Sequence, residues 1–125
     1  MAFQSFEDLE VWKRGCRLAV DVHRAMDSSK HHALRDQMIR ASLSIPSNIA
    51  EGHERDSRLD FIRFLRIAKG SAAELRTQLY IAQRLAVLPK DLTESLIQET
   101  RELCPMLQAL IRSLRPVPAP LKTEN

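Results

Sequence analysis

Apolar residues recur at intervals of three and four along most of the chain, and the places where this spacing fails separate four segments. In the first, Leu9, Trp12, Cys16, Ala19, His23 and Met26 form one row, and Val11, Leu18, Val22 and Ala25 form a second beside it. Such spacing gathers side chains on one side of an α-helix. Ser5, followed three residues later by Asp8, predicts the start of this helix as a capping box. "DSSKHH" breaks both rows and reads as a loop.

The second segment predicts a helix from His32 to Gly52. Leu34, Met38, Ala41, Ile45 and Ile49 make one row, and Ile39, Leu43, Pro46 and Ala50 an adjoining one. Only Gln37, Arg40, Ser44, Ser47 and Glu51 are left over, so this helix is expected to be buried on most sides. Pro46 removes a backbone donor and crowds the carbonyl four residues back, at a cost of about 3 kcal/mol. The rows nevertheless continue across it, which predicts one kinked helix rather than a loop. Asn48 and Glu51 are expected to satisfy polar groups between helices, toward the strip Ser71, Glu74 and Gln78.

Ser57 and Asp60 form another capping box ahead of the most regular segment. Phe61, Leu65, Ala68, Ala72, Leu75, Leu79, Ala82 and Ala86 alternate spacings of four and three, as a bundle seam does. A second row holds Phe64, Ile67, Ser71, Glu74, Gln78, Ile81 and Leu85. "VLPKDLTE" makes the next turn, with Asp91 and Glu94 as a third box. Leu96, Leu103, Leu107, Leu110 and Leu114 then carry a fourth helix to Arg115, and Pro105 is expected to kink or interrupt it. The pattern predicts an all-α, up-down-up-down four-helix bundle over residues 1–115 and a disordered Pro-rich tail over 116–125. Two apolar rows on several helices suit either a deep core or one row turned to a neighbouring subunit.

Composition supports this class. Aromatic residues make up 5% of the 125 and there are only three glycines, which favours helices packed through aliphatic side chains over a β-sandwich. Acidic residues near the N-terminus and the lack of a long apolar run argue against a secretory leader or a membrane span, and the expected location is the cytoplasm. Cys16 and Cys104 lack metal-ligand spacing and suit reduced thiols. No metal or other cofactor is expected.

Candidate chemistry is sparse. The Glu-x-x-His pairs of bundle-type di-iron sites do not occur. His23, on an apolar row, reads as a core or interface histidine. Arg17 to His23 and Arg24 to His31 match an Arg-x(4–6)-His spacing found in helical ribonucleases, but such matches arise easily in an arginine-rich chain. No glycine loop is available to cradle phosphate. Charge is more informative: the formal net charge of +3 resides in residues 53–86, where Arg55, Arg58, Arg63, Arg66, Lys69, Arg76 and Arg84 outnumber Glu54, Asp56, Asp60 and Glu74. Arg66, Lys69 and Arg76 fall on one helical face with Arg58 and Arg63 flanking its start, an arrangement that can meet a nucleic-acid backbone through phosphate contacts. A solvated face carrying Glu–Arg pairs would contain the same residues.

"FEDLEVW", "RASLSIPSNIAEGHERDS" and "DFIRFLRIAKGSAAELRTQL" together resemble the bacterial four-helix-bundle family of proteins encoded in intervening sequences of large-subunit ribosomal RNA genes. That family also includes the accessory variability proteins of diversity-generating retroelements. The resemblance spans roughly residues 3–114. It implies a homopentameric barrel of four-helix bundles and, in the retroelement branch, binding to nucleic acid and association with a reverse transcriptase. Pro46, Asn48, Glu51, Gly52, Phe61, Phe64, Leu65, Gly70, Glu74 and Leu75 are the matching hallmark positions, read here as architectural. The sequence therefore leads to a non-enzymatic oligomer that contacts structured RNA or DNA through Arg55, Arg58, Arg63, Arg66, Lys69 and Arg76. A protein-interaction scaffold and a helical ribonuclease are the alternatives.

Overall fold

The computed structural model describes residues 5–116. A short 3-10 turn, Phe6–Asp8, leads into four α-helices: α1 (Glu10–Met26), α2 (His32–Glu54), α3 (Arg58–Arg84) and α4 (Lys90–Leu114). The described residues contain no strand. α1 packs on α2, α2 on α3 and α3 on α4, and α4 returns to α1 through the narrowest of these seams. Short connections force successive helices to run antiparallel, so the all-α four-helix bundle expected from the pattern is what forms.

The centre of the bundle is the uninterrupted row of α3, of which Phe61, Leu65, Ala68, Ala72, Leu75, Leu79 and Ala82 are all buried. Leu18, Val22 and Met26 meet it from α1, Met38, Ile45 and Ile49 from α2, and Leu103, Leu107 and Ile111 from α4. The last residue of the predicted row, Ala86, instead terminates the helix. Its φ of 53° lets Val87 N–H donate to the Ala82 carbonyl at 3.0 Å and Ala86 N–H to Gln83 at 3.1 Å, a Schellman motif built without glycine.

Several boundaries differ from expectation. Ser5 Oγ accepts from Glu7 N–H at 3.1 Å and caps the 3-10 turn, and α1 starts after the extended, buried Leu9. At α3 the predicted cap is present, with Ser57 Oγ accepting from Asp60 N–H at 3.3 Å. α4 begins before Asp91, because the Pro89 carbonyl accepts from both Thr93 N–H (3.0 Å) and Thr93 Oγ1 (2.9 Å), so the Asp91–Glu94 box does not form. Neither proline interrupts its helix. Pro105 is exposed, and the carbonyl it leaves without a partner belongs to exposed Arg101, where water can pair it. The described residues end at Pro116, so the tail expected to be disordered otherwise lies outside them.

α2 runs past Gly52 to Glu54, and the glycine has a different task from ending the helix. A Cβ at position 52 would sit 2.5 Å from Phe64 Cβ, closer than carbon atoms approach. The missing side chain therefore sets the separation of α2 and α3. On the opposite flank of α2, a Cβ on Gly15 would lie 3.3 Å from Ile45 Cγ2 and 3.5 Å from the Pro46 ring. Between these contacts a polar relay crosses to α3: Asn48 Nδ2 donates to the Ser44 carbonyl at 2.7 Å and to Ser44 Oγ at 2.8 Å, and Ser44 Oγ lies 2.8 Å from Ser71 Oγ. Asn48 therefore bonds only within α2, and it is Ser44 that makes the contact to α3. Glu51 does not reach α3 either: it is exposed and pairs with Arg55 on its own helix at 3.3 Å. Glu74 is likewise exposed and accepts from Gln78 Nε2 at 3.5 Å.

Replacing Gly52 by Ala should lower stability by about 1–3 kcal/mol through overpacking. Gly70 faces solvent, and a methyl group added there would meet nothing within 4 Å, so Gly70→Ala should raise stability by about 0.5–1 kcal/mol. Thermal or urea unfolding of the two variants checks both signs.

The α1–α4 seam is closed by charge. Arg14 Nε and Nη2 each donate to a Glu99 oxygen at 2.8 Å, and Nη2 also reaches Glu102 at 3.0 Å. Hydrogen bonding to Glu99, then to Glu102, holds the Arg14 guanidinium protonated beyond its already high range. The bond from Arg14, with a smaller one from Gln98, holds the Glu102 carboxyl below the usual carboxylate range. A carboxylate depressed in the folded state stabilises above its unfolded pKa and loses that contribution as pH falls through the folded value. The melting temperature should therefore drop on acidification below about pH 5, and the drop should be shallower in Arg14→Leu, as a pH series of melting curves would show.

Candidate nucleic-acid interface

The six basic residues expected to contact nucleic acid lie between the end of α2 and the middle of α3, and the fold sorts them into two groups. Arg55, just past α2, and Arg63, in the second turn of α3, bring their guanidinium carbons to 5.0 Å each from the Phe64 ring centroid. Phe64 is fixed because its Cβ side fills the space left by Gly52. The two cations are therefore steadied on an aromatic face that belongs to the core. Their carboxylate partners are weak: Arg55 meets Glu51 at 3.3 Å and Arg63 meets Asp60 at 3.5 Å, both solvent-exposed pairs worth little in water. A phosphate can displace either carboxylate at small cost. Arg66, one turn after Arg63, is exposed and extends this group along α3.

Arg58, Lys69 and Arg76 turn toward α4 instead. Lys69 Nζ donates to Gln108 Oε1 at 2.8 Å, and Arg76 Nη2 approaches Cys104 Sγ at 3.3 Å. Both side chains are half-buried and help to join α3 to α4, so less of their hydrogen-bonding capacity faces outward. Arg58 sits at the end of the bundle beside Arg115. The single face inferred from helical spacing is thus an outward patch, Arg55, Arg63 and Arg66, next to a row that borders α4. Arg101 on α4 and Arg115 just past its end were not singled out by charge counting, because they are remote in sequence from the basic segment. Arg101 hydrogen-bonds the Tyr80 hydroxyl, with its guanidinium carbon 5.9 Å from the ring centroid.

The remaining chemical candidates do not converge. His23 is exposed and 3.7 Å from Asp27, so it is not a core histidine; one turn of α1 at the surface carries it past the buried edge. Burial pushes the Cys16 thiol upward, which makes it a poorer nucleophile. Among the described residues no three His, Cys, Asp or Glu side chains gather within reach of a metal ion. No helix among them is long and apolar enough to cross a membrane.

An apolar groove lies on the other side of the bundle, between α1 and α2. Cys16, Ala19, Val20, His23, Leu43 and Pro46 line it, and it encloses about 380 Å³. Val20 and Leu43 are 46% and 53% exposed there.

No curated protein matches the chain. One solved structure similar to it is the crystal structure of a protein with unknown function from the S23 ribosomal protein family of Bacteroides thetaiotaomicron. The two share 26% identity with a TM-score of 0.77, over 82% of this chain and 98% of that one. The family model described as 23S rRNA-intervening sequence protein matches residues 7–109, all four helices but the last turn of α4. The chain therefore belongs to the 23S rRNA-intervening sequence protein family.

Proposed function

We propose that this protein is a non-enzymatic, oligomeric nucleic-acid-binding module of the cytoplasm that grips structured RNA or DNA by its phosphate backbone. The supporting observation is the pair of guanidiniums, Arg55 and Arg63, steadied over Phe64 and held only by exposed carboxylates. Arg66 extends the contact, and Arg58, Lys69 and Arg76 add positive potential from the α4 side. Contacts of this kind read charge and shape rather than sequence. Repetition around a homopentameric barrel would multiply the field of a protomer whose net charge is only +3.

Binding of a hairpin RNA should weaken steeply between about 50 and 200 mM salt, as counterion release requires. Reversing Arg63 and Arg66 to Glu should weaken it by about tenfold or more at the lower salt. Unchanged binding in that variant, or no binding at low salt, would overturn the assignment; a filter or anisotropy titration reads both.

Assembly rests on a separate observation, the exposed Val20 and Leu43 beside the α1–α2 groove. That surface also supports a second reading, in which the ring docks a protein partner such as a reverse transcriptase and never touches nucleic acid. The mass in solution should be about five times the 14.3 kDa of one chain and should fall to one chain when Val20 and Leu43 are both changed to Glu. Light scattering on the two proteins tests this, and a wild-type protein of single-chain mass contradicts it.

A further inference from the structure

At the end of the bundle where α2 gives way to α3, a cleft of about 530 Å³ opens between the α2–α3 connection and the last turn of α4. His53, Ser57, Arg58 and Phe61 line one side, and Ser113 and Arg115 the other. The His53 side chain is only 9% exposed, both ring nitrogens are themselves buried, and neither has a hydrogen-bond partner among the described residues. Its nearest carboxylate oxygen, on Glu54, is 3.7 Å from Nδ1, too far for a hydrogen bond. The ring is held edge-on by Phe61, with centroids 5.6 Å apart, and by Phe6 at 6.4 Å. A buried imidazole that is positioned by aromatics and left unpaired calls for a partner beyond the described residues.

The surroundings indicate the sign of that partner. α3 starts at Arg58, and Ser57 Oγ takes only the Asp60 N–H of its first turn, which leaves the positive end of a 27-residue helix directed at the cleft. Arg58 and Arg115 are exposed and neither guanidinium donates to another described residue, so both can swing toward a ligand. Asp56 also lines the cleft and opposes them with one negative charge.

We infer that this cleft is a phosphate site, in which the His53 ring turns to donate its buried N–H to the bound oxygen, the start of α3 faces the anion, and Arg58 and Arg115 close over it. An imidazole offers one N–H donor even when neutral, so the contact does not depend on its charge. This deepens the nucleic-acid reading, on which it rests for its natural ligand: the terminal phosphate of a strand, with free inorganic phosphate as the other source of the same chemistry.

Two hairpins that differ only in a 5′-phosphate or a 5′-hydroxyl separate the two inferences, together with a titration of inorganic phosphate followed by the His53 ring nitrogen resonances. The phosphorylated hairpin should bind about tenfold more tightly, the size of one charge-assisted hydrogen bond, and phosphate alone should shift the His53 resonances. His53→Phe, which keeps the aromatic packing, should abolish the preference, and Arg58→Gln should reduce it in a chain whose core is untouched. Equal binding of the two hairpins with salt sensitivity intact would overturn the phosphate site and leave the basic face standing. A phosphate-dependent shift of His53 with neither hairpin bound would uphold a phosphate site and overturn the nucleic-acid reading.

Discussion

The approach of α2 to α3 at Gly52 is the constraint on which the rest of this bundle depends. With a Cβ position only 2.5 Å from Phe64 Cβ, no other residue fits without moving one helix. α2 is pinched on its other flank as well, where Gly15 of α1 meets Ile45 and the ring of Pro46. A proline here loses one backbone hydrogen bond but presents a compact apolar surface to a helix that comes unusually near. Two contacts of this kind, with the Asn48–Ser44–Ser71 relay between them, leave α2 little freedom to slide or rotate.

The same contact carries over to function. Phe64 is 7% exposed, so its backbone side belongs to the core, yet its ring supports Arg55 and Arg63 from below. The proposed phosphate-binding surface therefore rests on an aromatic whose position is decided by helix packing. The basic groups themselves remain loosely paired and adaptable, which suits recognition of a backbone whose sequence varies.

Much of the architecture was legible in the sequence. The row from Phe61 to Ala82 has the period of a helix and every member is buried, because a continuous apolar seam admits few other solutions. The cap at Ser57 was legible for the same local reason. Boundaries set by backbone carbonyls were not: Pro89 starts α4 through its main chain, a role that leaves no trace in side-chain patterns. The glycine at 52 carries an ordinary stop signal in sequence, and only the position of Phe64 reveals that it marks a crossing. For the basic residues, helical spacing located the segment but could not show that Lys69 and Arg76 lean on Gln108 and Cys104. Arg115 and His53 enter one cleft from distant parts of the chain, a proximity that no local motif records.

Arg14 has a consequence for how the bundle comes apart. α1 is tied to α2 by close packing, but to α4 by a thin seam that one guanidinium and two carboxylates hold together. Electrostatic closure of a thin seam gives way before aliphatic closure of a thick one when salt or acid weakens it. Opening is then expected first at this seam, between α1 and α4. The charged lock at Arg14 thus decides how readily the first helix parts from the last, although it contributes nothing to the aliphatic core.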